Sequence, residues 1–206
     1  MTITVDDIFN AAPVIPVLAF KSEQEALETC SFLYEAGVRV FEITLRHKTA
    51  LAGLKAVADH LPKDAMVGAG TIMTPDDLDR AVKAGAGFGI SPGLTPALAQ
   101  AIRQTSLPFL PGVASISEAM QAREYGFNAL KFFPAAASGG TDFLKAAGAV
   151  LPDVQFCPTG GINLSNKESY LALSNVPVVG GSWLIKRDAD GAIDKTETLK
   201  QLNNIF

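Results

Sequence analysis

The sequence predicts an α/β fold: a single-domain (β/α)8 TIM barrel over residues 1–206, with an extra helix ahead of the first strand. Three observations carry that expectation. Eight short apolar runs alternate with segments of helical periodicity. The runs recur about every 23 residues from Val14 to Val176, which is room for one βα pair with short loops. Capping residues and glycines mark the helix boundaries between them. Eight such units point to a closed barrel rather than an open sheet.

Taken in order, the first element is a helix over residues 5–12, placed to cover the bottom of the barrel. The strands are expected at 14–20, 38–45, 65–71, 88–93, 107–113, 129–134, 154–160 and 176–183, most of them rich in Val, Ile and Phe. Helical stripes follow them. Ala26, Cys30, Leu33 and Tyr34 make one, and Leu78, Ala81, Val82 and Gly85 another. Helix starts are signalled by Ser22, Thr74-Pro75-Asp76-Asp77, Thr95-Pro96 and Ser117-Glu118. Gly37, Gly85 and Gly126 stand where a left-handed cap lets a helix turn into the next strand.

The chain has 206 residues, with 17 basic and 21 acidic side chains and a net charge of −4. Mild acidity argues against a general nucleic-acid binder or an anionic-membrane binder. A composition 48% hydrophobic and 18% charged excludes a disordered chain. No apolar run approaches the ~20 residues a membrane helix needs. Met1-Thr2-Ile3-Thr4-Val5-Asp6-Asp7 has acids where a secretory signal carries positive charge, and Cys30 and Cys157 form no disulfide framework. A cytoplasmic protein with two buried thiols is expected.

The chemistry follows from strand parity. In the second strand Phe41, Ile43 and Leu45 share one side, facing the helices. Glu42, Thr44 and Arg46 share the other side and converge on the interior. Burying Glu and Arg there is costly without partners or ligand. A structural Glu–Arg pair is one reading; a base and an anion anchor in a top-face site is the other. In the sixth strand Leu130 and Phe132 face outward, while Lys131 and Phe133 face inward. An inward lysine among aromatics is hard to extend to solvent, and desolvation favours the neutral amine that attacks a carbonyl. The alternative is a lysine ending a strand in water.

Glycine-rich strand ends supply a third element. Pro158-Thr159-Gly160-Gly161 and Gly180-Gly181-Ser182-Trp183 end consecutive strands, where backbone N–H groups can cradle a phosphate. Gly68-Ala69-Gly70-Thr71 and Ser91-Pro92-Gly93 leave room at the same rim. Asp76, Asp77 and Asp79 fit a helix N-terminus better than a metal site. His47 and His60 lack partners at ligand spacing, so no metal is expected.

Together, Phe41-Glu42-Ile43-Thr44-Leu45-Arg46, Gly68-Ala69-Gly70-Thr71, Ser91-Pro92-Gly93, Lys131-Phe132-Phe133-Pro134, Pro158-Thr159-Gly160-Gly161-Ile162 and Gly180-Gly181-Ser182-Trp183 resemble the 2-keto-3-deoxy-6-phosphogluconate (KDPG) aldolase / 4-hydroxy-2-oxoglutarate (KHG) aldolase family. The resemblance runs in order from Val14 to Trp183. It implies a class I aldolase that works as a homotrimer without metal or cofactor. Such an enzyme cleaves KDPG to pyruvate and glyceraldehyde 3-phosphate, the last step of the Entner–Doudoroff route. It also implies the roles. Lys131 forms the Schiff base and Glu42 moves protons, within reach of Lys131 but not locked to it. Arg46 and Thr71 hold the pyruvyl carboxylate, and Pro92 and Phe133 shape the pocket. Gly160, Gly161 and Ser182 receive the phosphate, and Thr159 touches the reacting carbons. Rival readings are the galactonate-epimer aldolase, a phosphate-binding isomerase or epimerase, and a ligand-binding barrel without catalysis. Ser182 argues against the first, and Lys131 with Glu42 against the others.

Overall fold

The computed structural model describes residues 3–205. Met1 and Thr2, which open the acidic N-terminus, and Phe206, which ends the expected domain, lie outside them. Strands and helices alternate: α1 (Val5–Asn10), β1 (Val14–Leu18), α2 (Glu23–Glu35), β2 (Val40–Thr44), α3 (Ala50–His60), β3 (Met66–Gly70), α4 (Pro75–Lys83), β4 (Phe88–Ile90), α5 (Pro96–Arg103), β5 (Phe109–Leu110), β6 (Gly112–Val113), α6 (Ile116–Glu124), β7 (Ala129–Phe132), α7 (Gly140–Val150), β8 (Gln155–Pro158), α8 (Lys167–Leu171), β9 (Val179–Gly181) and α9 (Lys195–Leu202). Each expected strand window holds one strand, except the fifth, which holds two.

All strand pairings are parallel. One sheet runs β5-β4-β3-β2-β1-β9 and the other β6-β7-β8. The break between them falls at Pro111, which has no N–H to give to a ladder. The neighbours absorb the break. The Ser91 hydroxyl accepts from the Gly112 N–H at 3.3 Å, and the Lys131 N–H donates to the Pro111 carbonyl at 2.9 Å. Space there admits only glycine, because a Cβ on Gly112 would fall 2.6 Å from the Gly93 nitrogen. At the far edges an isolated parallel bridge joins Thr159 to Gly180.

Every residue of β1 and β2 is buried, as expected of parallel strands covered on both faces. Alternate residues feed two apolar layers. Phe41, Ile43, Leu130 and Phe132 pack outward with helix residues such as Leu54 and Leu144, and Phe132 stacks on Phe143 of α7 with 4.4 Å between ring centroids. The second layer joins strand residues to the first helix. Ile15, Val40, Phe88, Cys157 and Val178 close around Ile8 and Phe9 of α1. A capping box fixes α1: the Thr4 N–H donates to the Asp7 carboxylate at 2.8 Å, and the Asp7 N–H donates to the Thr4 hydroxyl at 3.1 Å. The helix stops at Asn10, two residues short of the expected end.

Local signals fare mostly as read. Ser22, Thr74 and Thr95 cap α2, α4 and α5, and Gly37, Gly85 and Gly126 have φ of 97°, 91° and 92°. Two readings need correction. The cap of α6 is Ser115 rather than Ser117, because Ser115 places Glu118 at the third helical position and so closes a capping box. Val82 is exposed while Leu78 and Ala81 are buried, so the apolar stripe of α4 is narrower than its spacing implied. Among the described residues no helix is long and apolar enough to cross a membrane.

Candidate active site

Glu42 sits mid-strand in β2, and its side chain is 2% exposed. Lys131 lies in β7 of the other sheet, in register with Gly112 and Cys157, and its side chain is 8% exposed. The two meet: the Lys131 Nζ donates to the Glu42 Oε1 at 3.0 Å, across 89 residues of sequence. Glu42 is thus paired with Lys131 and not with Arg46, and it is engaged where an unlocked carboxylate was expected. Desolvating two charges costs several kcal/mol each, which their mutual hydrogen bond offsets only in part.

The surroundings are cut to this pair. Gly70, at the end of β3, stands so near that a Cβ there would lie 2.7 Å from the Glu42 Cγ. The Lys131 Nζ is 5.7 Å from the centroid of the Phe133 ring, which adds a cation–π contact. Burial pushes the neighbouring Cys157 thiol up to about 12, outweighing the opposite pull of the Lys131 ammonium. Cys157 therefore serves as a small apolar filler beside the amine. Thr44 is held otherwise: its hydroxyl donates to the Leu18 carbonyl at 2.9 Å and ties β2 to β1.

Thr159 follows β8, and its buried Oγ1 has no hydrogen-bond partner. A Cβ on Gly180 would strike that hydroxyl, so the glycine at the bridge makes room for it. Gly160 and Gly161 come next with φ of 99° and 77°, in the left-handed region that glycine adopts freely. A Cβ on Gly160 would lie 3.4 Å from the Phe133 ring, so this turn borders the lysine end of the site. Thr71, just past β3, has φ of 62°, the one positive φ among the described residues other than glycine. A β-branched residue held there is strained, and such strain concentrates at functional sites. Pro92 packs against Gly112 beside the strand break.

Arg46 departs from its expected place. β2 ends at Thr44, so Arg46 lies exposed in the following turn instead of pointing into the interior. From there it lines a pocket of about 180 Å³ with Thr44, Ser182 and Arg187. Arg187 was not among the sequence candidates. The only hint was its basic side chain four residues past the last strand motif. The three acids that follow Thr74 serve α4: Asp77 closes the Thr74 capping box, Asp76 pairs with Arg80 and Asp79 with Lys83.

The KDPG and KHG aldolase family model matches residues 5–200. The chain is 45% identical over 198 residues to the 2-dehydro-3-deoxy-phosphogluconate aldolase of Pseudoalteromonas atlantica, covering 95% of this chain and 92% of that protein. It is 43% identical over 184 residues to the KHG/KDPG aldolase of Escherichia coli, covering 89% and 86%. Among solved structures, Legionella pneumophila KDPG aldolase, with pyruvate captured at low pH as a covalent carbinolamine intermediate, superposes with a TM-score of 0.87 at 44% identity, covering 95% and 92%. Zymomonas mobilis 2-keto-3-deoxy-6-phosphogluconate aldolase with 3-phosphoglycerate gives 0.91 at 35%, covering 99% and 95%. With its curled parallel sheets and a buried lysine–carboxylate pair between them, the chain belongs to the KDPG and KHG aldolase family.

Proposed function

We propose that the protein is a class I, Schiff-base aldolase, an aldehyde-lyase that cleaves KDPG to pyruvate and glyceraldehyde 3-phosphate and also 4-hydroxy-2-oxoglutarate to pyruvate and glyoxylate. The observation that carries this reading is the buried contact of 3.0 Å between the Lys131 amine and the Glu42 carboxylate. A proton passed from Lys131 to Glu42 leaves the neutral amine next to a carboxylic acid that can return it.

The reaction then runs in balanced steps. The neutral Lys131 nitrogen attacks the keto carbon, the carbonyl π electrons move to oxygen, and a proton released by that nitrogen passes to the oxygen to give the neutral carbinolamine. Glu42 protonates that hydroxyl, water leaves, and the protonated imine forms. Glu42, now a base, removes the proton of the hydroxyl on the fourth carbon. The bond between the third and fourth carbons breaks, its electrons pass into the imine as an enamine, and the aldehyde departs. Protonation of the enamine and addition of water release pyruvate and restore the amine. The protonated imine is itself the electron sink, so the reaction calls for no metal or cofactor.

In this reading Arg46 and Thr71 hold the pyruvyl carboxylate, and the bidentate fork of Arg46 suits that planar group. Pro92 and Phe133 shape the space around the methyl end. Thr159 contacts the reacting carbons, a role that gives its unpartnered hydroxyl a partner. Gly160, Gly161 and Ser182 receive the phosphate. The two sheets act as one (β/α)8 barrel and one domain, continuous through Pro111 and bridged between Thr159 and Gly180, with α1 as its floor. The protein works in the cytoplasm as a homotrimer, an assembly that would cover exposed apolar side chains such as Met120 and Val150.

Borohydride reduction in the presence of pyruvate, followed by mass analysis, tests the proposal. A pyruvyl adduct on Lys131 that is lost in Lys131→Ala is the expected result. No adduct at saturating pyruvate overturns it.

A further inference from the structure

The phosphate receptors assigned above are uncharged: the N–H groups of Gly160 and Gly161 and the hydroxyl of Ser182. A phosphate dianion bound by neutral donors alone would lack a counter-charge, and Arg46, which borders the same pocket as Ser182, is already assigned to the substrate carboxylate. The pocket beyond the carboxyl ends of β1 and β2 supplies the missing cation. Leu18 and Thr44, the last residues of those strands, line it with Arg46, Ser182, Ile185 and Arg187, and no carboxylate borders it.

Arg187 is anchored from behind. One guanidinium nitrogen donates to the Glu25 carboxylate of α2 at 2.6 Å, and another to the Gly191 carbonyl at 2.8 Å. Glu25 and Gly191 line a larger neighbouring pocket of about 550 Å³ that Arg187 also borders, and neither lines the pocket of Arg46 and Ser182. Arg187 is therefore the wall between the two, with its counter-ion on the far side. Two of its five N–H donors are used by these anchors, which leaves three for an anion. A guanidinium held by two such anchors has less side-chain freedom left to lose when a ligand arrives.

Resting on the aldolase reading, we propose that Arg187 is a specificity residue that binds the distal phosphate of the substrate, with Glu25 as its positioning residue. Arg187 sets the preference of the enzyme for phosphorylated over unphosphorylated sugar acids.

The test compares kcat/KM for KDPG and for its unphosphorylated counterpart, 2-keto-3-deoxygluconate, in wild type, Arg187→Gln and Glu25→Gln. Arg187→Gln lowers kcat/KM for KDPG at least about tenfold, chiefly through KM, and changes the value for the unphosphorylated substrate far less. Glu25→Gln gives a smaller change in the same direction. Calorimetry with inorganic phosphate gives an independent readout: its affinity falls in Arg187→Gln and is partly restored in Arg187→Lys. Equal losses on both substrates, or unchanged phosphate affinity, overturn the proposal. The borohydride adduct in the wild-type protein separates that outcome from failure of the aldolase reading, since pyruvate carries no distal phosphate.

Discussion

Gly70 and Glu42 occupy adjoining space on neighbouring strands, and the carboxylate reaches Lys131 only because Gly70 has no side chain. A methyl group there would meet the Glu42 side chain at less than contact distance and turn it away from the amine. Gly70→Ala is therefore expected to lower kcat about a hundredfold, the scale on which small misplacements of a catalytic group act. Steady-state turnover alongside circular dichroism checks it. Turnover near wild type with an intact fold would remove Gly70 from this role.

The buried pair is a liability to stability that catalysis retains. Lys131→Met leaves the Glu42 carboxylate without its partner and should cost about 3–5 kcal/mol in urea unfolding. Adding Glu42→Leu removes the stranded charge, so the double variant should recover most of that loss while staying inactive. Additive losses in the double variant would show that the pair supports the fold by some other means.

Thr71 carries strain on the order of 1–3 kcal/mol at its positive φ. Thr71→Gly relieves it and returns about 0.5–1 kcal/mol as extra chain entropy of glycine. Its unfolding free energy should match or exceed that of wild type, while its KM for the keto acid rises with loss of the hydroxyl. A clear loss of stability would refute stored strain at this position.

Acid should weaken the fold through three carboxyls. Hydrogen bonds from the Thr4 side chain and backbone hold Asp7 below the usual carboxylate range. The Tyr34 hydroxyl, then Arg39, does the same for Asp64. Burial alone would raise Glu25, but the Lys21 N–H and the Arg187 guanidinium outweigh it and bring it down. Each pKa is lower folded than unfolded, so each contribution is complete above the unfolded value near ~4 and is lost as pH falls through the folded one. Melting temperature should thus hold from pH 7 to 5 and decline below about 4. Glu25→Gln should flatten part of that decline, and an unchanged profile would contradict its share.

The repeat, the strand windows and the inward parity of Glu42 and Lys131 were legible because a period of two and a period of 3.6 leave distinct traces in side-chain order. Three features were not. Proline at position 111 splits a strand only if its neighbours need the N–H it lacks, which depends on register. Arg46 continues the parity of Glu42 and Thr44 on paper, but β2 ends at Thr44 and the turn carries the side chain outward. Arg187 joins the pocket through contacts with Glu25, 162 residues away, and no local pattern encodes such a separation.

Ile8 and Phe9 pack the inner strand residues with hydrocarbon, so that end of the proposed barrel gives a substrate no way in. Under the proposed chemistry both fragments must use one mouth, and the fragment nearer the floor is still covalently tethered when the bond breaks. Departure is then sequential: the aldehyde leaves first, and water reaches the enamine through the space it vacates. In the synthetic direction the same geometry makes pyruvate the obligatory first arrival, because an aldehyde already seated would stand between it and the amine.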